Sequence, residues 1–269
     1  MRKELKITDE KVLDGVAGDL IAFRWNDATL NLDVFGNRVT ADQYRIVYAA
    51  VLAHMPRGAK VLDWGCGNGH FSYFLLKTGY RVTAFSFLGA PRIIRPEGGR
   101  FEFVGGSENE PRTIPFPTGH FDSVMSMGVL EHVRETGGDE GASLAEIRRI
   151  LKPGGIFVCA HFPNRLSWIE FLTRHFIPSK FNHRFRFTKH DIVALWSAAG
   201  FEILAMYRYG WLPRNLLSGI RSPILDTRLS VSIYNAAELA ARAILFPFHQ
   251  NFLIVARAPA AVSCHPEGA

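Results

Sequence analysis

Cysteine is scarce in this 269-residue chain: Cys66, Cys159 and Cys264 are far apart and odd in number. That spacing excludes a disulfide framework, a paired zinc motif and a C-x-x-C redox couple. No uncharged apolar stretch approaches the roughly 20 residues that span a bilayer. The longest, 243–256, is broken by Pro247, His249, Gln250 and Asn251. The opening M-R-K-E-L-K-I-T-D-E mixes charges of both signs and has no apolar signal region, so the expectation is a cytoplasmic protein that is not integral to a membrane. There is no internal repeat and no low-complexity tract. With 48% hydrophobic residues the chain is rich enough to bury a full core, which excludes disorder. Its net charge of +6 is unevenly placed: 165–190 holds six Lys or Arg against Glu170 alone. That run reads either as a solvated face or as a local contact for an anion.

What is present alternates. Lys60 to Trp64 is a short apolar run, Gly65 to Gly69 a loop, and Phe71, Phe74 and Leu75 follow at helical spacing before Gly79 stops the helix. Arg81 to Phe87 is a second β-rich run, and two strands joined this closely through a helix are parallel and right-handed. Strands follow at 101–104, 121–127 and 156–161, with a helix near 143–151 and a turn at Lys152-Pro153-Gly154-Gly155. Five parallel strands result. Thr188 and Asp191 are spaced as a capping box opening a helix toward Gly200, and 201–209 and 251–258 supply two more strands. The expected organisation is one domain over 1–269. Its core covers about 45–161, 188–209 and 250–258, and three segments, 1–44, 162–187 and 210–249, are assigned to a cap over the sheet's C-terminal edge. A helix at 232–246 is apolar except for Asn235, Glu238 and Arg242. Such a helix is normally buried, the other reading being one resting on a membrane surface.

The sharpest signal is V-L-D-W-G-C-G-N-G, Val61 to Gly69. A strand runs into glycines at alternate positions, so backbone can pass beneath a ligand where a Cβ would collide, and a helix N-terminus follows. A dinucleotide fingerprint would need a sixth-position glycine where His70 stands, and no G-K-S/T follows for a phosphate-cradling loop. The chain resembles the class I S-adenosylmethionine-dependent methyltransferases of the small-molecule, type 11-like group. The motifs are Leu62 to Gly69, Ile114-Pro115-Phe116 with Phe121-Asp122, Val129 to His132, and Leu151 to Gly155. The resemblance implies an α/β, Rossmann-like, doubly wound seven-stranded sheet, mostly parallel with an antiparallel last strand. It also implies S-adenosyl-L-methionine as cofactor, held by Asp63, Gly65, Cys66, Gly67, Gly69, Ser86, Phe87, Ser107 and Met127.

The chain departs from that family at two places. Ser86 stands where most members carry an acid for the ribose hydroxyls, and Gly105-Gly106-Ser107-Glu108 replaces the usual Asp near the adenine. Glu131 and His132 are read as a loop-fixing network or as acceptor contacts. A metal is not expected, because Gly128 stands where the ubiquinone-type enzymes carry a further Glu. His161, closing the fifth strand, is the candidate base beside His132 and Glu131. Trp168, Phe171, Phe176, Phe181, Phe185 and Phe187 interleave with Arg174, Arg184 and Arg186. Trp168, His183, Arg184 and Arg186 are therefore the expected substrate contacts for a small or lipid-like acceptor, amphiphilic and anionic. Alternation in an extended segment predicts both arginines on one side and Phe185 and Phe187 on the other. Peripheral contact with a membrane fits this reading. A nucleic-acid methyltransferase, which lacks support from any strand-end or RNA-binding motif, and a catalytically inactive binding protein are the alternatives.

Overall fold

The computed structural model describes residues 7–94, 99–107, 113–177 and 183–260; Cys264, Glu108 and Phe181 lie outside them. Its strands are β1 (Lys60–Trp64), β2 (Arg81–Ser86), β3 (Phe101–Gly105), β4 (Phe121–Met127), β5 (Leu151–Pro163), β6 (Glu202–Tyr209) and β7 (Asn251–Arg257). They form one sheet in the order β3-β2-β1-β4-β5-β7-β6, with β7 antiparallel to both its neighbours. Its helices are α1 (Ile7–Asn26), α2 (Arg38–Ala41), α3 (Arg45–His54), α4 (His70–Lys77), α5 (Glu140–Ile150), α6 (Trp168–Phe176), α7 (Lys189–Ala198) and α8 (Arg228–Leu245).

Alternation along the strands builds two cores. In β1, Val61 joins Val51, Phe71, Phe74 and Val158 on one face, while Leu62 joins Val124, Leu144, Ile147 and Trp196 on the other. Helices α1, α3 and α4 therefore cover the first face and α5 and α7 the second, which is the doubly wound arrangement. The ends are set by local chemistry. Asp139 accepts from Ala142 N to start α5, and Thr188 and Asp191 make the reciprocal capping box that starts α7. Gly79, at φ +90, carries the chain past α4 into β2.

Two expectations are corrected. The turn at Lys152-Pro153-Gly154-Gly155 is an irregular stretch inside β5. Phe121 pairs with Leu151 but Ser123 with Ile156, and Gly154 adopts φ +74, so surplus residues bulge without breaking the strand. The apolar helix is α8, and it is not buried: none of its residues is. Its polar stripe faces the protein. Glu238 accepts from the backbone N–H groups of Trp211 (2.7 Å) and Leu212 (3.1 Å), Asn235 bonds Arg214 and Asp42, and Arg242 lies over the Trp211 ring. The apolar remainder, including Leu229, Ile233, Leu239 and Ile244, therefore points outward.

Candidate active site

Parallel register brings the strand ends to one edge. Ser86 pairs with Gly105, Phe85 with Trp64, Trp64 with Ser126, and Met127 with Ala160. Ser86 and Met127 thus flank the loop that leaves β1, with Ser107 just beyond the end of β3 and His161 within the last residues of β5. This is where ligands bind in open α/β sheets.

The three glycines of the loop are left-handed, but for different reasons. A Cβ on Gly65 would lie 2.2 Å from Val129 Cγ2, and one on Gly69 would lie 2.4 Å from Pro91 Cβ, so both are needed for close packing. A Cβ on Gly67 would meet nothing nearer than Gly65 O at 3.9 Å. That open side, beneath the strand ends, fits a cofactor approaching the backbone. The loop is braced by Gly65 and Cys66, whose N–H groups donate to Phe85 O. Buried Asp63 accepts from Ser72 Oγ at 2.6 Å, tying β1 to α4, and burial lifts its carboxyl to about 6. Burial also pushes the Cys66 thiol to about 12, so it is no nucleophile. Ser86, nearly buried, accepts from Leu88 N at 3.0 Å, and Phe87 packs over Gly106, where a Cβ would be 2.6 Å from its ring. Ser107 is exposed and Met127 half-buried.

His161 sits at a break in the pairing of β5 with β7 and has φ +59. Its N–H donates to Tyr209 Oη at 2.8 Å, and its ring stacks on Tyr44 at 5.6 Å. Tyr44 in turn contacts His70 and Phe35. Burial holds His161 down to about 4 and His70 to about 3, so both imidazoles are neutral near pH 7. Sequence reasoning missed Phe35, Tyr44, His70 and Tyr209, which the fold gathers from four separate segments.

A second wall is polar. Glu131, His132 and His183 converge, and burial pushes the Glu131 carboxyl up to about 8. Arg134, from the same turn, lines a shallow depression with Arg165, Arg184, Arg186, Phe185 and Phe187. The expected separation of arginines from phenylalanines is absent. Residues 184–185 form a bend rather than a strand, the Arg184 guanidinium lies 5.6 Å over the Phe185 ring, and Phe187 is buried against Phe162. Trp168 is held elsewhere, its indole N–H donating to Trp211 O at 2.8 Å.

This glycine loop on a 3-2-1-4-5-7-6 sheet defines the S-adenosylmethionine-dependent methyltransferase class. The family model for the methyltransferase domain matches residues 41–206, and the chain belongs to that family. A probable S-adenosylmethionine-dependent methyltransferase of Mycolicibacterium smegmatis is 26% identical over 74% of this chain and 66% of its own. Demethylmenaquinone methyltransferase of Renibacterium salmoninarum is 30% identical over 58% of this chain and 67% of its own. The chain thus spans about two thirds of the length of these curated relatives. The fold is also that of the 1,6-didemethyltoxoflavin-N1-methyltransferase of Burkholderia thailandensis, whose structure holds S-adenosylhomocysteine. It has a TM-score of 0.54 and 21% identity over 96% of this chain and 93% of that one.

Proposed function

We propose that this chain transfers the methyl group of S-adenosylmethionine to an amphiphilic, lipid-like acceptor that it meets at a membrane surface. The cofactor supplies a methyl carbon already activated by its sulfonium. Gly65 to Gly69 and the end of β2 would hold it, with Gly67 giving the backbone its close approach. The aromatic wall of Tyr44, His70, His161 and Tyr209 would exclude water from the transfer.

The acceptor class rests on α8. Soluble proteins rarely leave a continuous apolar stripe in water, yet Ile233 is 61% and Ile244 80% exposed, and the stripe continues through exposed Phe246 and Phe248. Full burial of such a side chain contributes about 1.5–3 kcal/mol, so a few of them inserted among acyl chains suffice for reversible binding. Exposed Arg228, in the first turn of α8, accompanies the stripe and suits an anionic lipid surface. No helix among the described residues is long and apolar enough to cross a membrane, so the contact is peripheral. The similarity to an enzyme named for demethylmenaquinone supports the same acceptor class.

Vesicle flotation with and without anionic lipid, followed by transfer of radiolabelled methyl into a lipid extract held in those vesicles, tests this. Wild type should float with anionic vesicles and label the lipid fraction. Ile233→Asp with Ile244→Asp should stay behind while binding S-adenosylhomocysteine normally. Wild type remaining at the bottom of the gradient, with no label in lipid, would overturn the reading.

A further inference from the structure

Glu131 and His132 lie in the turn that follows β4, and His183 comes from the segment between α6 and α7. One ligand atom from each lies within 4.8 Å of the others. Glu131 is 1% exposed, and neither of its carboxylate oxygens has a hydrogen-bond partner among the described residues. A carboxyl group buried in that state is destabilising unless something it binds offsets the loss of water.

The two imidazoles are already oriented. His132 Nδ1 is 3.1 Å from Glu135 Oε2, and His183 Nδ1 is 2.8 Å from Glu170 Oε1, a carboxylate that is itself buried. The rings stack with centroids 5.6 Å apart. A carboxylate on Nδ1 selects the tautomer whose Nε2 carries the lone pair, the usual way a protein prepares histidine for a metal. His132 Nε2 lies 4.0 Å from Glu131 Oε1.

We propose that Glu131, His132 and His183 form a binding site for a divalent first-row transition metal, with Glu135 and Glu170 orienting the two histidines. Two nitrogens and one oxygen suit zinc, cobalt or iron(II) better than magnesium or calcium, which prefer all-oxygen sites. Three protein ligands leave coordination positions open. An acceptor oxygen could complete the shell there. The expectation of no metal considered position 128 alone, whereas the third ligand here arrives from the inserted segment. Metal binding does not rest on the lipid reading, and either can fail without the other.

Chelator-treated full-length protein is titrated with Co²⁺ followed by visible absorption, and with Zn²⁺ and Mg²⁺ by calorimetry. One equivalent of Co²⁺ should give d–d bands of a nitrogen- and oxygen-ligated ion, and Zn²⁺ should bind at least tenfold more tightly than Mg²⁺. His183→Ala and Glu131→Gln should each weaken Zn²⁺ binding tenfold or more, and Glu170→Gln by about 10–100-fold, the range for lost orienting partners. Unchanged affinity for S-adenosylhomocysteine establishes that each variant is folded. Should His183→Ala misfold, the wild-type Co²⁺ spectrum still decides. Absence of the bands, equal binding of Mg²⁺ and Zn²⁺, or Zn²⁺ affinity unaltered in folded His183→Ala and Glu131→Gln would overturn the assignment.

Discussion

Alanine at Gly67 separates cofactor binding from folding in a way that alanine at the neighbouring glycines does not. Gly67 has φ +47, a conformation that raises an L-residue by about 1–2 kcal/mol over glycine. For a chain of this size each kcal/mol shifts the melting temperature by about 2–4 °C, so Gly67→Ala should fold and melt only slightly early. No protein atom obstructs the new methyl, since the nearest is Gly65 O at 3.9 Å. The methyl projects into the space assigned to the cofactor. S-adenosylhomocysteine affinity should therefore fall at least tenfold, equivalent to about 1.4 kcal/mol. Gly65→Ala carries the same backbone strain and also forces its Cβ to 2.2 Å from Val129, so it should damage folding itself. Calorimetric titration with S-adenosylhomocysteine beside thermal melts measures both quantities. A folded Gly67→Ala variant that binds as tightly as wild type would show that the open side of Gly67 faces something other than the cofactor.

Ser86→Asp should tighten S-adenosylhomocysteine binding severalfold, because a carboxylate can accept from both ribose hydroxyls while still accepting from Leu88 N as Ser86 Oγ does; weaker binding by a folded variant, read in the same titration, would place the ribose elsewhere. Acid stability carries the remaining prediction. His161, held to about 4 against an ordinary 6.5, stays neutral in the fold while the unfolded chain takes up a proton, so its contribution is intact above pH 6.5 and lost as pH falls toward 4. At pH 5 that loss is about 2 kcal/mol. Glu131 and Asp63, whose carboxyls are raised, act oppositely over the same range and mask it in the wild-type curve. The measurement is therefore the difference: between pH 7 and pH 5, His161→Gln should lose less stability to urea unfolding than wild type, and parallel losses would refute the burial argument.

Much of this was legible in the chain because strand, glycine loop and helix follow one another within 60–87, where local periodicity and tertiary structure agree. The capping box at Thr188 and Asp191 was legible for the same reason. Periodicity identified the polar stripe of α8 but not which side it would face. That depended on Trp211 and Leu212 presenting backbone N–H groups to Glu238. Helices usually bury their apolar side, and here a few part-buried and exposed hydrogen bonds reverse the rule. The aromatic wall was illegible for a different reason: Tyr44 comes from the segment before α3, His70 from the start of α4, and Tyr209 from the end of β6. Nothing in their spacing marks them as neighbours. The bend at 184–185 defeated a period-2 argument that holds only for extended chain.

The two walls at the sheet edge differ in what they can do with a proton. A general base works best when its conjugate acid has a pKa near the working pH. His161, at about 4, lies some three units below that, which is about 4 kcal/mol of lost driving force for accepting a proton. His70, at about 3, is weaker still. Burial therefore argues against His161 as the base that its place at a strand end indicated. What burial supplies instead is a neutral, water-excluding surface of Phe35, Tyr44, His70, His161 and Tyr209, suited to a transfer whose electrophile already carries its own activation. On the proposed reading, removal of an acceptor proton falls instead to the polar wall, where Glu131, His132 and His183 converge. A metal there would lower the pKa of a bound hydroxyl without requiring any side chain to be a strong base. An acceptor with an apolar body and a polar reacting end matches that division, its body along the aromatic wall and its oxygen toward the histidines.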